Sequence, residues 1–153
     1  MSRDINSLVP VVRERLLQLE AGAKQLGIEF ITVYTLRTEA EQHALFAQGR
    51  KTVDEVNRLR KEAGLAPITE GQNRIVTRLL TSVHMFGCAF DVAILKDGKI
   101  DWQDTSSFER LGAVGESLGL RWGGRFTFRD WGHFEYTGGL TIEELKEGKR
   151  PAA

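Results

Sequence analysis

The chain has 153 residues, of which 41% are hydrophobic, and that is enough for the core of one domain but not of two. Lysine plus arginine and aspartate plus glutamate number 21 each, so the formal net charge is zero. Such a balance excludes a strong field toward nucleic acid or an anionic membrane surface. We therefore predict a single domain over residues 1–153, without a nucleic-acid partner, and we expect a monomer.

The cysteine content and the first residues indicate where the chain is made. Cys88 is the only cysteine, so no intrachain disulfide can form, which fits a reducing compartment. Pro10 and several charged residues interrupt the apolar residues near the amino terminus. Neither a signal peptide nor membrane insertion is therefore predicted. We expect a protein that is cytoplasmic as synthesised and that depends on another route to any target outside.

The first third of the chain predicts a helix, a strand and two further helices. Apolar residues at three- and four-residue spacings predict an amphipathic helix over residues 8–26, which Ser7 is placed to cap. Residues 28–36 are rich in β-branched and aromatic side chains on both faces, which predicts a central strand. Capping boxes at residues 38–41 and 52–55 predict the start of two helices.

Residues 51–75 form a segment with its own character. Its helix has only a narrow apolar stripe between many charged residues, and Pro67 and Gly71 in the following stretch are typical of a loop. We predict that this segment is an inserted helical cover over a cleft, and that it is mobile.

The second half of the chain predicts strands around a candidate site. In a strand over residues 88–95, alternation places Asp91 between two small residues on its own face, which leaves room for an ion. Residues 97–98 read Asp-Gly and predict a tight turn. A capping box at residues 106–109 predicts another helix, and residues 133–136 predict a short strand. A final helix is predicted to begin at the Thr141–Glu144 capping box.

Three residues in this half form a candidate metal site. Catalytic zinc is typically held by three protein ligands, commonly two histidines and a carboxylate, and His84, Asp91 and His133 match that set. A spacing of seven would put His84 and Asp91 on opposite faces of a continuous strand. We therefore expect Gly87 to break the register.

Two other residues could compete for the metal, and both are disfavoured. Cys88 alternates onto the face opposite Asp91, which favours core packing over a thiolate ligand. His43 lies in the middle of a predicted helix with no turn or carboxylate to frame it, so we expect a partly solvated side chain.

Asp130 distinguishes catalysis from mere metal binding. A carboxylate three residues before a ligand can act as a general base without coordinating the metal. It could equally form a surface pair with Arg125 or Arg129, and the residues alone support both interpretations. Glu135 alternates onto the face of His133 and is a weaker candidate, which could instead support that ligand.

The spacing of these residues resembles a known enzyme family. Residues 82–91 read Ser-x-His-x-x-Gly-x-Ala-x-Asp and residues 130–133 read Asp-x-x-His. This pattern is similar to the zinc peptidases that cut bacterial cell-wall stem peptides, which include D-alanyl-D-alanine carboxypeptidases and phage L-alanyl-D-glutamate endolysins. Residues 37–50 and the Trp-Gly-Gly of residues 122–124 resemble the phage endolysin branch.

The resemblance implies a fold and a metal. The fold is α+β, a single domain with helices packed on a small antiparallel sheet that carries a zinc site, of the Hedgehog/DD-peptidase-like type. The implied cofactor is Zn²⁺, with ligands at His84, Asp91 and His133. Two departures affect the cleft: the segment between Arg50 and Val76 is longer and helix-forming, and Arg125 replaces an aromatic residue.

The resemblance also implies a reaction. Hydrolysis of the L-alanyl-D-glutamate bond of the peptidoglycan stem peptide would use a metal-activated water with Asp130 as general base. Arg37 would bind the substrate or stabilise the oxyanion, and Ser82 would contact the substrate. For Arg37 an ion pair with Glu41 is the alternative. Such an enzyme would act on the cell wall after release.

Two other functions stay open at this stage. One is a D-alanyl-D-alanine carboxypeptidase, and the other is a non-catalytic zinc-binding cell-wall module. Asp130 at the position of a base disfavours the module.

Overall fold

The computed structural model describes residues 1–152, and within them the chain folds into an α+β domain. The α-helices are Pro10–Gln25 (α1), Glu39–Ala47 (α2), Val53–Glu62 (α3), Thr105–Ser117 (α4) and Ile142–Lys146 (α5). The β-strands are Glu29–Tyr34 (β1), Ala89–Lys96 (β2), Lys99–Ile100 (β3), Arg121–Trp122 (β4) and His133–Glu135 (β5). In this part of the chain no helix is both long and apolar enough to cross a membrane.

The strands form one antiparallel sheet in the order β1-β2-β5-β4, with β3 paired to the end of β2. A tight turn joins β2 to β3, as predicted, because Asp97 and Gly98 both have positive φ, at 52° and 76°. β1 and β5 therefore lie on opposite edges of β2. This order places Asp91 of β2 directly opposite His133 of β5.

The prediction of a central first strand is wrong, because β1 pairs only with β2 within residues 1–152 and lies at the edge of the sheet. Its apolar residues on both faces are explained by packing. Phe30 packs against the hydrophobic core, and Val33, where the register of β1 shifts against β2, is buried outside that core cluster. A strand can therefore be apolar on both faces without a neighbour on each edge.

The core lies between one face of the sheet and two helices. Phe90, Val92 and Ile94 of β2 point to this face, as their alternation predicted. They pack with apolar residues that include Val12, Leu16 and Leu19 of α1 and Phe108 and Leu111 of α4, which are all fully buried. Asp91 lies on the opposite face of β2.

Two predicted helix caps are wrong. Ser7 does not cap α1, which begins at Pro10 after Val9. The Ser7 hydroxyl instead donates to the Asp4 carbonyl, and its oxygen lies 2.9 Å from the hydroxyl oxygen of Thr35. Pro10 has no backbone N–H, so its position in the first turn needs no hydrogen-bond acceptor. α4 begins before the predicted capping box, because the Asp104 carboxylate accepts hydrogen bonds from the backbone and hydroxyl of Ser107.

The capping boxes predicted for α2 and α5 are confirmed, and the one predicted for α3 is present in one of its two hydrogen bonds. Thr38 and Glu41 form a reciprocal capping box at α2, and Thr141 and Glu144 form one at α5. Thr52 accepts the Glu55 N–H at the start of α3. Each hydroxyl binds an amide that has no partner within its helix.

Residues 51–75 pack against α2 and its carboxyl end. Val56 is fully buried. The Asn73 side chain accepts from the Gly49 N–H at 2.8 Å and donates to the Lys51 carbonyl at 2.9 Å. The position of residues 51–75 beside α2 is therefore defined, while their role as a mobile cover stays a prediction.

Candidate metal centre

A short 3₁₀ turn, Val83–Phe86, carries His84 and breaks the register before β2. Gly87 ends the turn with φ of 71°, a conformation that favours glycine. A Cβ at this position would lie 2.9 Å from the Ser7 carbonyl oxygen. The Gly87 carbonyl also accepts the Val9 N–H. The predicted register break is confirmed, and it brings His84 to the same side of the sheet as Asp91.

His84, Asp91 and His133 converge on one point. His84 Nε2 lies 3.3 Å from Asp91 Oδ2, and His133 Nδ1 lies 3.1 Å from Asp91 Oδ1. One ligand atom from each residue lies within 4.8 Å of the others. Ligands at ~2.0–2.2 Å from one zinc ion are separated by a few ångströms, so the spacing fits. The three residues could therefore hold one metal ion.

Hydrogen bonds fix which ring nitrogen each histidine presents. A carbonyl only accepts, so His84 Nδ1–H must donate to the Thr35 carbonyl, at 2.9 Å, and Nε2 is left for a metal. His133 Nε2–H donates to Glu135 Oε1 at 2.8 Å, which leaves Nδ1. The support role considered for Glu135 thus has a geometric basis. Partners of this kind orient metal-ligating histidines.

The ionisable groups of the centre shift one another's pKa values. Burial disfavours a charged His133, but hydrogen bonds to Asp91 and Glu135 outweigh burial and raise the pKa of His133 to about 10. Burial would raise the pKa of Asp91, yet the charge of His84 and bonds to both histidines lower it. Without a metal, the proton that the raised pKa keeps on His133 offsets the charge of Asp91, and a divalent cation would take over that task.

Asp130 stands beside the ligands without joining them. Its Oδ2 lies 3.9 Å from His133 Nδ1, and its side chain is 57% exposed. The alternative of a surface pair is not observed, because Arg125 pairs with Glu116 and Arg129 stacks over Trp131. Partial burial and the nearby Asp91 charge raise the pKa of Asp130, although water screens both effects at this exposure.

The Trp-Gly-Gly motif positions the loop that carries Asp130. Trp122 Nε1–H donates to the Trp131 carbonyl at 2.8 Å, and the Asp130 N–H donates to the Gly123 carbonyl at 3.0 Å. A Cβ on Gly123 would lie 2.4 Å from the Asp130 carbonyl oxygen. The second residue of the motif must therefore be small for the loop to reach the centre.

Arg37 lies on the other side of the centre. Its Nη2 is 3.9 Å from Asp91 Oδ2, and its side chain is only 12% exposed. Its buried Nε–H has no hydrogen-bond partner among the described atoms. The alternative ion pair with Glu41 is not observed, because Glu41 caps α2 and pairs with the terminal amine of Met1 at 3.5 Å. Burial lowers the pKa of Arg37, and Asp91 opposes that effect.

Gln42 has a role that the sequence did not reveal. Its side chain is fully buried on α2, where Oε1 accepts from Arg37 Nη1 at 2.8 Å and Nε2 donates to the Leu79 carbonyl at 2.6 Å. The available signal was a glutamine five residues after the arginine. That spacing places it on the helix face turned toward Arg37.

The other predicted residues occupy defined positions. Ser82 is buried, and its hydroxyl accepts the His84 N–H at 3.3 Å, so it supports the turn. Its contact with substrate stays a prediction. Cys88 is fully buried and His43 is exposed on α2, as expected for residues outside the centre.

Comparison with known proteins supports the resemblance read from the motifs. The sequence profile of the D-alanyl-D-alanine carboxypeptidase family matches residues 76–136. The peptidoglycan L-alanyl-D-glutamate endopeptidase CwlK of Bacillus subtilis is 27% identical over 140 residues, which cover 85% of this chain and 74% of CwlK. The chain is thus similar to the predicted group of enzymes.

Solved structures show the same fold. The L-Ala D-Glu endopeptidase ChiX of Serratia marcescens has a TM-score of 0.54 at 20% identity, covering 92% of this chain and 85% of ChiX. The vancomycin-resistance D,D-pentapeptidase VanY, solved in complex with Zn(II), has a TM-score of 0.53 at 16% identity, covering 92% of this chain and 76% of that one. The predicted α+β fold is confirmed.

Proposed function

We propose that this protein is a zinc-dependent peptidoglycan peptidase that hydrolyses the L-alanyl-D-glutamate bond of the stem peptide. One observation carries the proposal: a buried cluster of two histidines and an aspartate is flanked by a carboxylate that does not belong to it and by an arginine. CwlK and ChiX, which share sequence or fold with this chain, are both named as L-alanyl-D-glutamate endopeptidases.

His84 Nε2, Asp91 and His133 Nδ1 would hold the zinc ion. Two imidazoles and one carboxylate leave a fourth position open, which is typical of catalytic zinc and not of structural zinc. Zinc in such a site polarises the scissile carbonyl and makes water more acidic. VanY, a structural neighbour of this chain, binds Zn(II).

Asp130 acts as the general base. Its carboxylate is exposed enough to meet water and close enough to the ligands to meet the reacting carbonyl. It takes the proton from the attacking water and gives that proton to the leaving amine of D-glutamate. Because Asp130 lies outside the histidine hydrogen bonds, it can change protonation without releasing a ligand.

Arg37 holds a substrate carboxylate or the oxyanion. Gln42 fixes one of its terminal nitrogens, and the partnerless Nε–H leaves further donor capacity in the guanidinium fork. Such a fork suits a planar carboxylate. The D-glutamate α-carboxylate lies beside the scissile bond and meets that requirement.

Digestion of purified cell wall followed by mass spectrometry tests the proposal. We expect new peptides that begin with D-glutamate, lost on chelation and restored by zinc. Release of free D-alanine alone would assign the carboxypeptidase function, which the matching family profile also allows. Intact wall in the presence of zinc-loaded protein would assign the non-catalytic module. The wall would be reached after release of the protein from the cell.

A further inference from the structure

Two exposed segments are linked to residues of the metal centre: residues 74–80 through Gln42 and Arg37, and residues 126–131 through Asp130. The first concentrates large exposed hydrophobic side chains, each about half exposed: Ile75, Val76, Leu79 and Leu80. The second presents Phe128, which is 60% exposed. Exposed apolar surface concentrated in this way marks contact sites on soluble proteins.

The two segments are attached to opposite sides of the centre. Leu79 is bound through its carbonyl to Gln42, which holds Arg37 next to β1. Phe128 lies two residues before Asp130. The Asp130 carbonyl accepts the His133 N–H at the start of β5. Because β1 and β5 lie on opposite edges of β2, the two attachments lie on opposite sides of that strand.

Arg78 connects the two segments. Its Cζ lies 3.3 Å from the centroid of the Phe128 ring. Within residues 1–152 no carboxylate pairs with the Arg78 side chain, and residues 74–80 contain no acidic residue. A cation–π contact at an exposed site is weak. A carboxylate that accepts two parallel hydrogen bonds from a guanidinium is a stronger partner.

We propose that Arg78 binds a carboxylate of the stem peptide that lies beyond the residue held at Arg37, so that it selects peptides extending past the scissile bond. Phe128 holds the Arg78 guanidinium in place before the substrate arrives. This lowers the conformational entropy that the Arg78 side chain loses on binding. The inference rests on the proposed function and adds a specificity-determining residue to it.

The neighbouring arginines are less suited to this role. Arg125 is engaged by Glu116 at 3.0 Å. Arg129 stacks over Trp131, with Cζ 5.2 Å from that ring. Arg74 is exposed on the same segment as Arg78, but among the described residues its side chain forms no hydrogen bond, ion pair or cation–π contact with the opposite segment. Arg74 therefore provides a matched control with the same change of charge.

The test uses the peptide L-alanyl-γ-D-glutamyl-L-lysyl-D-alanine with its terminal carboxylate either free or amidated. We measure kcat/KM with the zinc-loaded protein and Kd by calorimetry with the metal-free protein. The parent should prefer the free acid roughly five- to tenfold, as expected for a charge-assisted bond near the surface. Arg78→Gln should abolish this preference, Arg78→Lys should keep part of it, and Arg74→Gln should leave it unchanged.

Three results would overturn the inference: no preference in the parent, a preserved preference in Arg78→Gln, or an equal loss in Arg74→Gln. The last result would assign the effect to diffuse charge. If the parent cleaves neither peptide but its Kd shows an Arg78-dependent preference, the proposed function fails and the carboxylate site stands. Failure of one is therefore distinguishable from failure of the other.

Discussion

At the scale of single residues, each histidine of the candidate metal centre is oriented by a partner that is not one of the three candidate ligands. Thr35 orients His84 through its backbone carbonyl, and Glu135 orients His133 through its carboxylate. A backbone partner cannot be removed by mutation, whereas Glu135 can. The ligands themselves are therefore the sharpest test of the metal site.

Replacing both histidines should remove the metal. We expect the parent to bind one zinc per chain and the His84→Ala, His133→Ala double variant to bind none, because one carboxylate does not hold zinc in water. Elemental analysis after dialysis measures this directly. The His43→Ala variant is the matched control, since His43 is exposed on α2 and does not belong to the cluster of candidate ligands. Undiminished zinc in the double variant would exclude the site.

Changing Asp130 should separate metal binding from turnover. Asp130→Asn keeps the size of the side chain but cannot accept a proton, so peptide turnover should fall by on the order of a hundred- to ten-thousand-fold. Zinc content and thermal stability should stay near those of the parent, because Asp130 coordinates nothing. A variant within a few-fold of the parent would exclude Asp130 as the base.

At the scale of elements, the turn before β2 determines where His84 points. Gly87→Ala should weaken both folding and zinc binding, because its Cβ would meet the Ser7 carbonyl oxygen at 2.9 Å as well as adopt a positive φ. Gly64 has a similar φ of 77°, and a Cβ added there would have no atom within 4 Å, so Gly64→Ala isolates the backbone effect. That effect costs about 1 kcal/mol.

The comparison of the two glycine variants has a clear readout. Chemical denaturation gives the free energy of unfolding, and competition with a chelator gives zinc affinity. We expect Gly64→Ala to lose stability without losing zinc affinity and Gly87→Ala to lose both. Equal losses of stability and of zinc affinity in the two variants would mean that the close approach of the turn to the Ser7 carbonyl does not position His84.

The sequence predicted elements whose signals are local. The capping box of α2 and the alternation of β2 needed only neighbouring residues, and the three candidate ligands followed from their spacing. Pairing across the sheet is not local, which is why β1 was placed at the centre instead of the edge. The contact between Gln42 and the Leu79 carbonyl joins residues 37 positions apart, so no pattern within α2 could indicate it.

The segment over residues 51–75 is an element whose dynamics can be tested. Asn73 joins it by exposed hydrogen bonds to Gly49, just beyond α2, and to its own Lys51, and Val56 is its one fully buried side chain. A small buried area predicts easy local opening. Amide hydrogens of α3 should therefore exchange much faster than those of β2, measured by mass spectrometry. Protection equal to that of β2 would contradict a mobile cover.

At the scale of the whole molecule, the centre couples folding to pH. The raised pKa of His133, about 10 against an ordinary value of 6.5, stabilises the metal-free fold below pH 6.5, and this contribution is lost as pH rises through about 10. The pKa values of Asp91 and Glu135 are lowered, so their contribution is present above their ordinary values of 3.8 and 4.5 and is lost as pH falls. Maximum stability without metal should therefore lie between those limits.

Zinc bound at His133 Nδ1 would displace the proton that the raised pKa of His133 keeps there at neutral pH. Since Nε2–H is held by Glu135, the proton that leaves is the one on Nδ1, which faces Asp91. Titration calorimetry at pH 7 in two buffers of different ionisation enthalpy should show release of about one proton per zinc from this residue. Apparent zinc affinity should fall about tenfold for each unit by which pH is lowered in this range. If binding releases no proton, His133 is neutral in the metal-free protein and the carboxylates around it do not hold it charged.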